Sequence, residues 1–174
     1  IGAVDLARRE DGQWVVVDQH FSNCRGLSYV IQNRRMLAQA FPEIFEGRNI
    51  APVAGFSSHL VEALRSRAGR SRPLIVILCR GESPDSFFDE AFLSRHMGVT
   101  MVRPGDLLVR DGRVFLKTID GLEVVDVILR AIDSSSVHPV TFAQSRYQGT
   151  PGLVHCVREG TVEILNALGA EVAD

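Results

Sequence analysis

The chain has 174 residues, 45% hydrophobic and 23% charged, the make-up of one sizeable soluble domain or two small ones. A formal net charge of −2 gives no basic field for nucleic acid or anionic lipid, and no apolar run approaches the roughly 20 residues that span a bilayer. Three cysteines, Cys24, Cys79 and Cys156, form no metal-ligand spacing and no even set, so reduced thiols in a cytoplasmic compartment are expected. The chain opens at Ile1 in what reads as a strand, which gives the expectation of a piece of a longer protein.

In chain order, residues 1–19 predict a β-hairpin, because two apolar-rich runs flank Asp11-Gly12, a strong turn signal. A helix is expected from Ser28 to Phe41, with Val30, Leu37 and Phe41 on its buried face and Pro42 as its stop. Residues 43–56 read as loop with a short extended piece. Ser57 or Ser58 is expected to cap a second helix to Ala68, with Gly69 just past its end. Leu74–Cys79 is a continuous apolar run of the kind found in strands buried on both faces of a parallel sheet, with Cys79 a small core residue. After Gly81, Ser83 is expected to cap and Pro84 to open a helix to Met97, with Gly98 beyond it and Phe88, Ala91 and Phe92 on its buried face. Val99–Arg103 then completes a β-α-β unit. Asp111-Gly112 and Asp120-Gly121 bracket a strand, Val114–Thr118. Val124–Leu129 reads as a strand or a short helix. A helix over Pro151–Arg158 and a strand over Val162–Leu165 follow.

No P-loop, dinucleotide glycine fingerprint, zinc spacing or nucleophile elbow is present. Gly55-Phe56-Ser57-Ser58-His59 lacks the second glycine of a nucleophile elbow and reads as a helix start. Asp18 and His20, two apart at a strand end, can point to one side and hold a divalent metal, or simply be solvated. Arg130 and Asp133 follow a buried run. They are open to two readings, a structural ion pair or contact with an anionic or amino-bearing substrate at a sheet's carboxyl edge. Asn166 can bind a ligand or tie its own turn.

The stretch from Asp11-Gly12 through Trp14, Asp18 and His20 to Gly26, Ser28, Tyr29, Asn33 and Arg34 resembles a motif of the circularly permuted ATP-grasp proteins, the glutathionylspermidine-synthase-like carboxylate–amine ligases. Arg130-Ala131-Ile132-Asp133, Phe92-Leu93-Ser94-Arg95-His96-Met97-Gly98 and Asn166-Ala167-Leu168-Gly169 are similar to later segments of that family, in its order. The resemblance implies an α/β fold: an N-terminal β-hairpin plus helix, then a pre-ATP-grasp, Rossmann-like α/β domain with a small mixed sheet. It divides the chain into 1–45 as the metal-binding end, 46–69 as a connecting helix region and 70–174 as the pre-ATP-grasp domain. The remaining half of the ATP-grasp unit is expected beyond Asp174.

The resemblance also implies ATP and Mg2+ as cofactors, small-molecule carboxylate and amine substrates, and an acyl-phosphate route. On that alignment Asp18 and His20 stand where the family has the glutamate and asparagine that bind Mg2+. Ser22 stands at an arginine position, and Arg25, where the family has serine, is the candidate to restore that catalytic charge. Gly81, Arg130, Asp133 and Asn166 are the candidates for substrate contact. Because the substitutions cluster where the chemistry belongs, a non-catalytic paralogue that binds ligand or partner is the second reading. A free-standing flavodoxin-like domain is disfavoured, since the β-α repeats are too few.

Overall fold

The computed structural model describes residues 1–22, 26–81, 84–137 and 149–172. Ser83, Cys24 and Arg25 therefore lie outside the described residues.

The N-terminal run folds as the expected hairpin. Strands β1 (Ala3–Arg8) and β2 (Trp14–His20) pair antiparallel, with Gly12 at φ 84° in the turn. That left-handed conformation suits a residue without Cβ. Asp5 pairs with Asp18 and Leu6 with Val16, so Val17 is the extra residue of a bulge. Helix α1 (Leu27–Ala40) follows, then a one-turn helix α2 (Pro42–Phe45) and helix α3 (Phe56–Arg67).

Three expectations fail here for physical reasons. Pro42 does stop α1, but its fixed φ also starts α2, so 43–45 are helical, and no strand forms among residues 46–55. Val30, Leu37 and Phe41 are about half exposed, and Ser28 is the buried residue of α1. Neither Ser57 nor Ser58 caps α3: the helix starts at Phe56 with Gly55 as its N-cap, and Ser57 is buried inside it.

The core is a four-stranded parallel sheet, built from β3 (Ile75–Leu78), β4 (Thr100–Val102), β8 (Val127–Arg130) and β9 (Glu163–Leu165) in the order β4-β3-β8-β9. As the apolar run predicts, every residue of β3 is buried, and the strand is internal. Its alternation divides two cores. Ile75 and Ile77 face Leu60, Leu64, Leu93 and Met97, from α3 and from helix α4 (Pro84–Met97). Val76 and Leu78 face the other way, towards Val137 of the one-turn helix α5 (Ser134–Val137), Leu153 and Cys156 of α6 (Leu153–Arg158), and Leu107, Val114 and Leu116.

Those last three belong to an antiparallel meander inserted between β4 and β8: β5 (Leu107–Arg110), β6 (Arg113–Thr118) and β7 (Gly121–Val124). Both of its turns carry the Asp-Gly pairs. The two strand directions expected of a mixed sheet are thus divided between a parallel sheet and this meander. The ambiguous run splits into the end of β7 and the buried strand β8. On α4 the buried face is Ser86, Asp89, Glu90, Phe92, Leu93 and Met97. Phe88 is 43% exposed because it reaches out to stack on Tyr29 of α1, with ring centroids 5.1 Å apart, rather than down onto the sheet. No helix of the described residues is long and apolar enough to cross a membrane.

Candidate functional site

The chain leaves β3, crosses through α4 to β4 on one side, and later places β8 on β3's other side. Connections that diverge from neighbouring parallel strands open a crevice at their carboxyl ends, where α/β proteins bind ligands. Two guanidinium groups organise this edge. Arg80, just past β3, donates from Nη2 to Asp133 Oδ2 and to Ser136 Oγ (3.1 Å), joining the segments after β3 and β8 across the switch point. Asp133 therefore pairs with Arg80, and the ion pair weighed for Arg130 and Asp133 is replaced by this one.

Arg130, the last residue of β8, is 2% exposed. It donates from Nε to the Asn166 carbonyl (3.1 Å), and from Nη1 to the Ile132 carbonyl (2.9 Å) and Ser134 Oγ (3.0 Å). From Nη2 it donates to the carbonyls of Ala167 (3.1 Å) and Ser22 (3.3 Å). A guanidinium has five N–H donors, and among the described residues five acceptors face this one. Asn166 Nδ2 also reaches the Ser22 carbonyl, at 3.4 Å. The loop after β2 is thereby tied to the sheet's carboxyl edge.

A second tie comes from α4. Asp89 is 5% exposed, and its two carboxylate oxygens accept from the backbone N–H of Gly26 (2.9 Å) and of Ser28 (2.8 Å). The first turn of α1 has no side-chain cap of its own. A carboxylate from another helix satisfies its orphan donors and complements its dipole.

Between these ties lies a cavity of about 350 Å³. Its apolar walls come from the start of the hairpin (Ile1, Ala3), α1, α3, α4, β3 and β8. Among the described residues its charged side chains are Asp89, Glu90 and Arg130, with Ser86 and Asn166 as neutral polar groups. Glu90 is 5% exposed. It bonds the Cys79 thiol, whose pKa is pushed up to about 12, first by burial and then by the Glu90 charge, with Arg103 and the Gly81 backbone opposing.

The sequence-derived candidates thus fall into three groups. Arg130 and Asn166 meet at the cavity. Asp133 and Gly81 sit on the same sheet edge outside its lining. Gly81 has φ 71°, and a Cβ there would lie 2.4 Å from Arg103 Nε, so the Arg103 side chain occupies the space over it. Asp18 and His20 lie together at the hairpin's end: His20 Nε2 is 4.0 Å from Asp18 Oδ2 and 3.4 Å from Asp5 Oδ2. One donor atom from each of Asp5, Asp18 and His20 falls within 4.8 Å of the others. Arg25 is outside the described residues. Asp5, Arg80, Asp89 and Glu90 escaped the sequence reading. Asp5 follows from the hairpin register once Asp11-Gly12 is the turn, and Asp89-Glu90 is an acidic pair among the apolar residues of α4. For Arg80 the signal is its place at a buried strand's end.

The family model for circularly permuted ATP-grasp type 2 matches residues 1–174. An uncharacterized protein of Synechocystis sp. is 36% identical over 176 residues, covering 100% of this chain and 37% of that protein. One of Mycobacterium leprae is 36% identical, covering 100% of this chain and 31% of that protein. The chain thus spans about a third of the length of these curated relatives. Among solved structures, a glutathione synthetase-like effector from Globodera pallida superimposes with a TM-score of 0.48 at 14% identity, over 90% of this chain and 41% of that one.

Proposed function

We propose, for a chain that belongs to the circularly permuted ATP-grasp type 2 family, that it forms the metal-binding end and the pre-ATP-grasp domain of an ATP- and Mg2+-dependent carboxylate–amine ligase. The observation that carries this reading is the joining of both ends of the chain at one edge. Arg130 holds the loop after β2 and the turn at Asn166-Ala167 against β8, beside a cavity able to take a small substrate. The proposed roles follow from position. Arg130 and Asn166 shape the floor of the substrate cavity. Arg80 and Asp133 fix the segments after β3 and β8, and Gly81 admits Arg103. Arg25, three residues after Ser22 in sequence, is the proposed source of positive charge for the transferring phosphoryl group. The nucleotide's remaining contacts, in this reading, come from the rest of a longer chain.

Asp5, Asp18 and His20 present two carboxylates and an imidazole within reach of one ion, a donor set that fits a divalent cation. Asp5 supplies an oxygen where His20 has replaced one. The imidazole makes the set better suited to Mn2+ than to Mg2+, which prefers oxygen alone. Bound there, the ion would neutralise charge as a phosphoryl group moves to the substrate carboxylate.

A second reading, a non-catalytic paralogue, is favoured by Ser22 and His20, which depart from the family pattern. The test is ADP release by the longer protein that depends on both an amine and a carboxylate. Loss of one charge-stabilising group costs about 10²–10³ in rate. Asp18→Glu, His20→Asn and Ser22→Arg together should therefore raise turnover if the site is degenerate. Equal or greater turnover by the unmodified protein would make Asp5, Asp18 and His20 a working variant site. No ADP release from either form would leave the paralogue.

A further inference from the structure

We infer that a cleft at the amino edge of the parallel sheet binds a small phosphate-type oxyanion, of about the size of pyrophosphate, between Arg70 and Arg113. The site is separate from the crevice described above. Asp126 in its wall stands just before β8, four residues and about 13 Å along the chain from Arg130 at the strand's other end.

Three connections meet at this edge. The loop from α3 to β3 brings Gly69 and Arg70, the turn from α6 to β9 brings Gly160 and Thr161, and the meander brings Arg113 and Val124. Together with Asp126 they enclose about 410 Å³. Hydrogen bonds hold all three walls. The Val125 N–H donates to the Val114 carbonyl (2.9 Å), and this antiparallel pairing brings Arg113 alongside Asp126. Thr161 Oγ1 donates to the Gly112 carbonyl (2.6 Å), which ties the turn before β9 to the β5–β6 hairpin. Asp126 Oδ2 accepts from the Leu74 N–H (2.6 Å) and from Arg70 Nε (3.0 Å), which fixes the loop before β3. A site whose walls are already braced loses little freedom on binding.

The chemistry of the walls selects the ligand. Asp126 has only 17% of its side chain exposed, and its charge is met by Arg70 and by the Leu74 N–H. Glu163, on the neighbouring strand, pairs with Arg67 at 3.9 Å. Arg70 commits one of its five N–H donors, through Nε, to Asp126. Among the described residues no acceptor takes its terminal N–H groups or any donor of Arg113, and both side chains are exposed. Two guanidinium forks with unmet donors thus reach the cleft from different walls. A tetrahedral phosphate group offers acceptors in several directions and can take both, whereas a carboxylate offers its lone pairs in one plane. Val124 is the one large apolar side chain among the described lining residues, so an extended hydrocarbon body has little to pack against. A Cβ at Gly69 or Gly160 would meet nothing within 4 Å, so the space in front of both is open to a ligand.

The experiment titrates the 174-residue chain with pyrophosphate, inorganic phosphate and succinate at about 0.1 M ionic strength, by calorimetry and by chemical-shift perturbation. Pyrophosphate should bind most tightly, with succinate at least about tenfold weaker. The largest shifts should fall at Gly69, Arg70, Arg113, Gly160 and Thr161. A hydrogen bond to a charged group carries about tenfold or more in affinity, so Arg113→Gln should weaken pyrophosphate by at least about tenfold. Arg113→Lys keeps the charge and loses the fork, and should weaken it by at least about threefold. Arg9→Gln removes an exposed charge from the hairpin turn and should leave the affinity within about twofold. Succinate binding as tightly as pyrophosphate, no saturation below about 10 mM pyrophosphate, shifts centred on Arg80 and Arg130, or an unchanged affinity in Arg113→Gln would each overturn the assignment. If Arg113→Gln fails to fold, the shift map of the unmodified chain decides alone. No turnover is measured and Arg113 has no part in the proposed ligase site, so the ligase reading and this one can fail separately.

Discussion

Strands β2 and β3 are both rich in valine and isoleucine-type residues, yet they live in opposite surroundings. In β3 every side chain is at most 5% exposed, whereas Trp14, Val16 and Val17 of β2 are 60–65% exposed. The parallel sheet carries a layer on each face, α3 and α4 on one and α6 with the meander on the other. Among the described residues the hairpin has no such layer, and it is held through its ends, by the Ser22 carbonyl on Arg130 and by α1 on Asp89. Apolar composition alone therefore does not make a strand part of the core. A covering layer does, and among the described residues only one of the two regions has its own.

The sharpest way to break this contrast is to delete equivalent side chains in both regions. Leu64→Ala, at a fully buried position, should lower the free energy of unfolding by about 2–5 kcal/mol in urea titration. A smaller but more selective effect is expected from Asp89→Ala, which leaves two N–H donors at the start of α1 without their acceptor. A loss of about 1–3 kcal/mol should appear. In hydrogen exchange it should fall mainly on 1–40, with β3 and β8 still protected. Uniform deprotection of the sheet would contradict the view that Asp89 serves the hairpin-helix end.

Next comes Cys79. Its folded pKa is raised from 9.0 to about 12, so below pH 9 both folded and unfolded thiols are protonated and the group has no influence on stability. Between pH 9 and 12 only the unfolded thiol ionises. Stability should therefore fall with rising pH through that window, by up to about 1.4 kcal/mol per unit. Cys79→Ala should flatten that slope, and a thiol-specific reagent at pH 8 should leave Cys79 unmodified in the native protein. The smallest effect is expected on the hairpin: Val16→Ser should change stability by no more than about 0.5 kcal/mol. A loss above 2 kcal/mol there would show that the hairpin carries a core of its own.

What the sequence disclosed follows the same division. Leu74–Cys79 was legible because a strand buried on both faces needs an unbroken apolar run, and the Asp-Gly pairs at 11–12 and 111–112 were legible because their turns hold residues at positive φ, while that at 120–121 marks the point where β7 begins. The face of α1 was misread. Periodicity identifies a stripe such as Val30, Leu37 and Phe41, but not whether anything covers it. Phe88 failed for the same reason, since its partner is Tyr29 on another helix. Of the candidate site, Asp18, His20, Arg130 and Asn166 stood out by residue type at strand ends. Asp89 and Glu90 did not, because a carboxylate in the middle of a helix reads as solvent-facing. Its true partners, Gly26 and Ser28, are more than 60 residues away in sequence.

Among the described residues, four of the five acceptors that Arg130 holds are main-chain carbonyls, those of Ser22, Ile132, Asn166 and Ala167. A carbonyl is the same atom whatever side chain its residue carries. The clamp therefore holds the Ser22 end of the loop after β2 through a group that every residue carries, so the grip itself does not depend on which side chain stands at position 22. That separation lets chemistry drift at the edge of a fixed scaffold. A lineage could lose, regain or redesign the reactive groups there by single substitutions, each tested against an architecture that does not move in response.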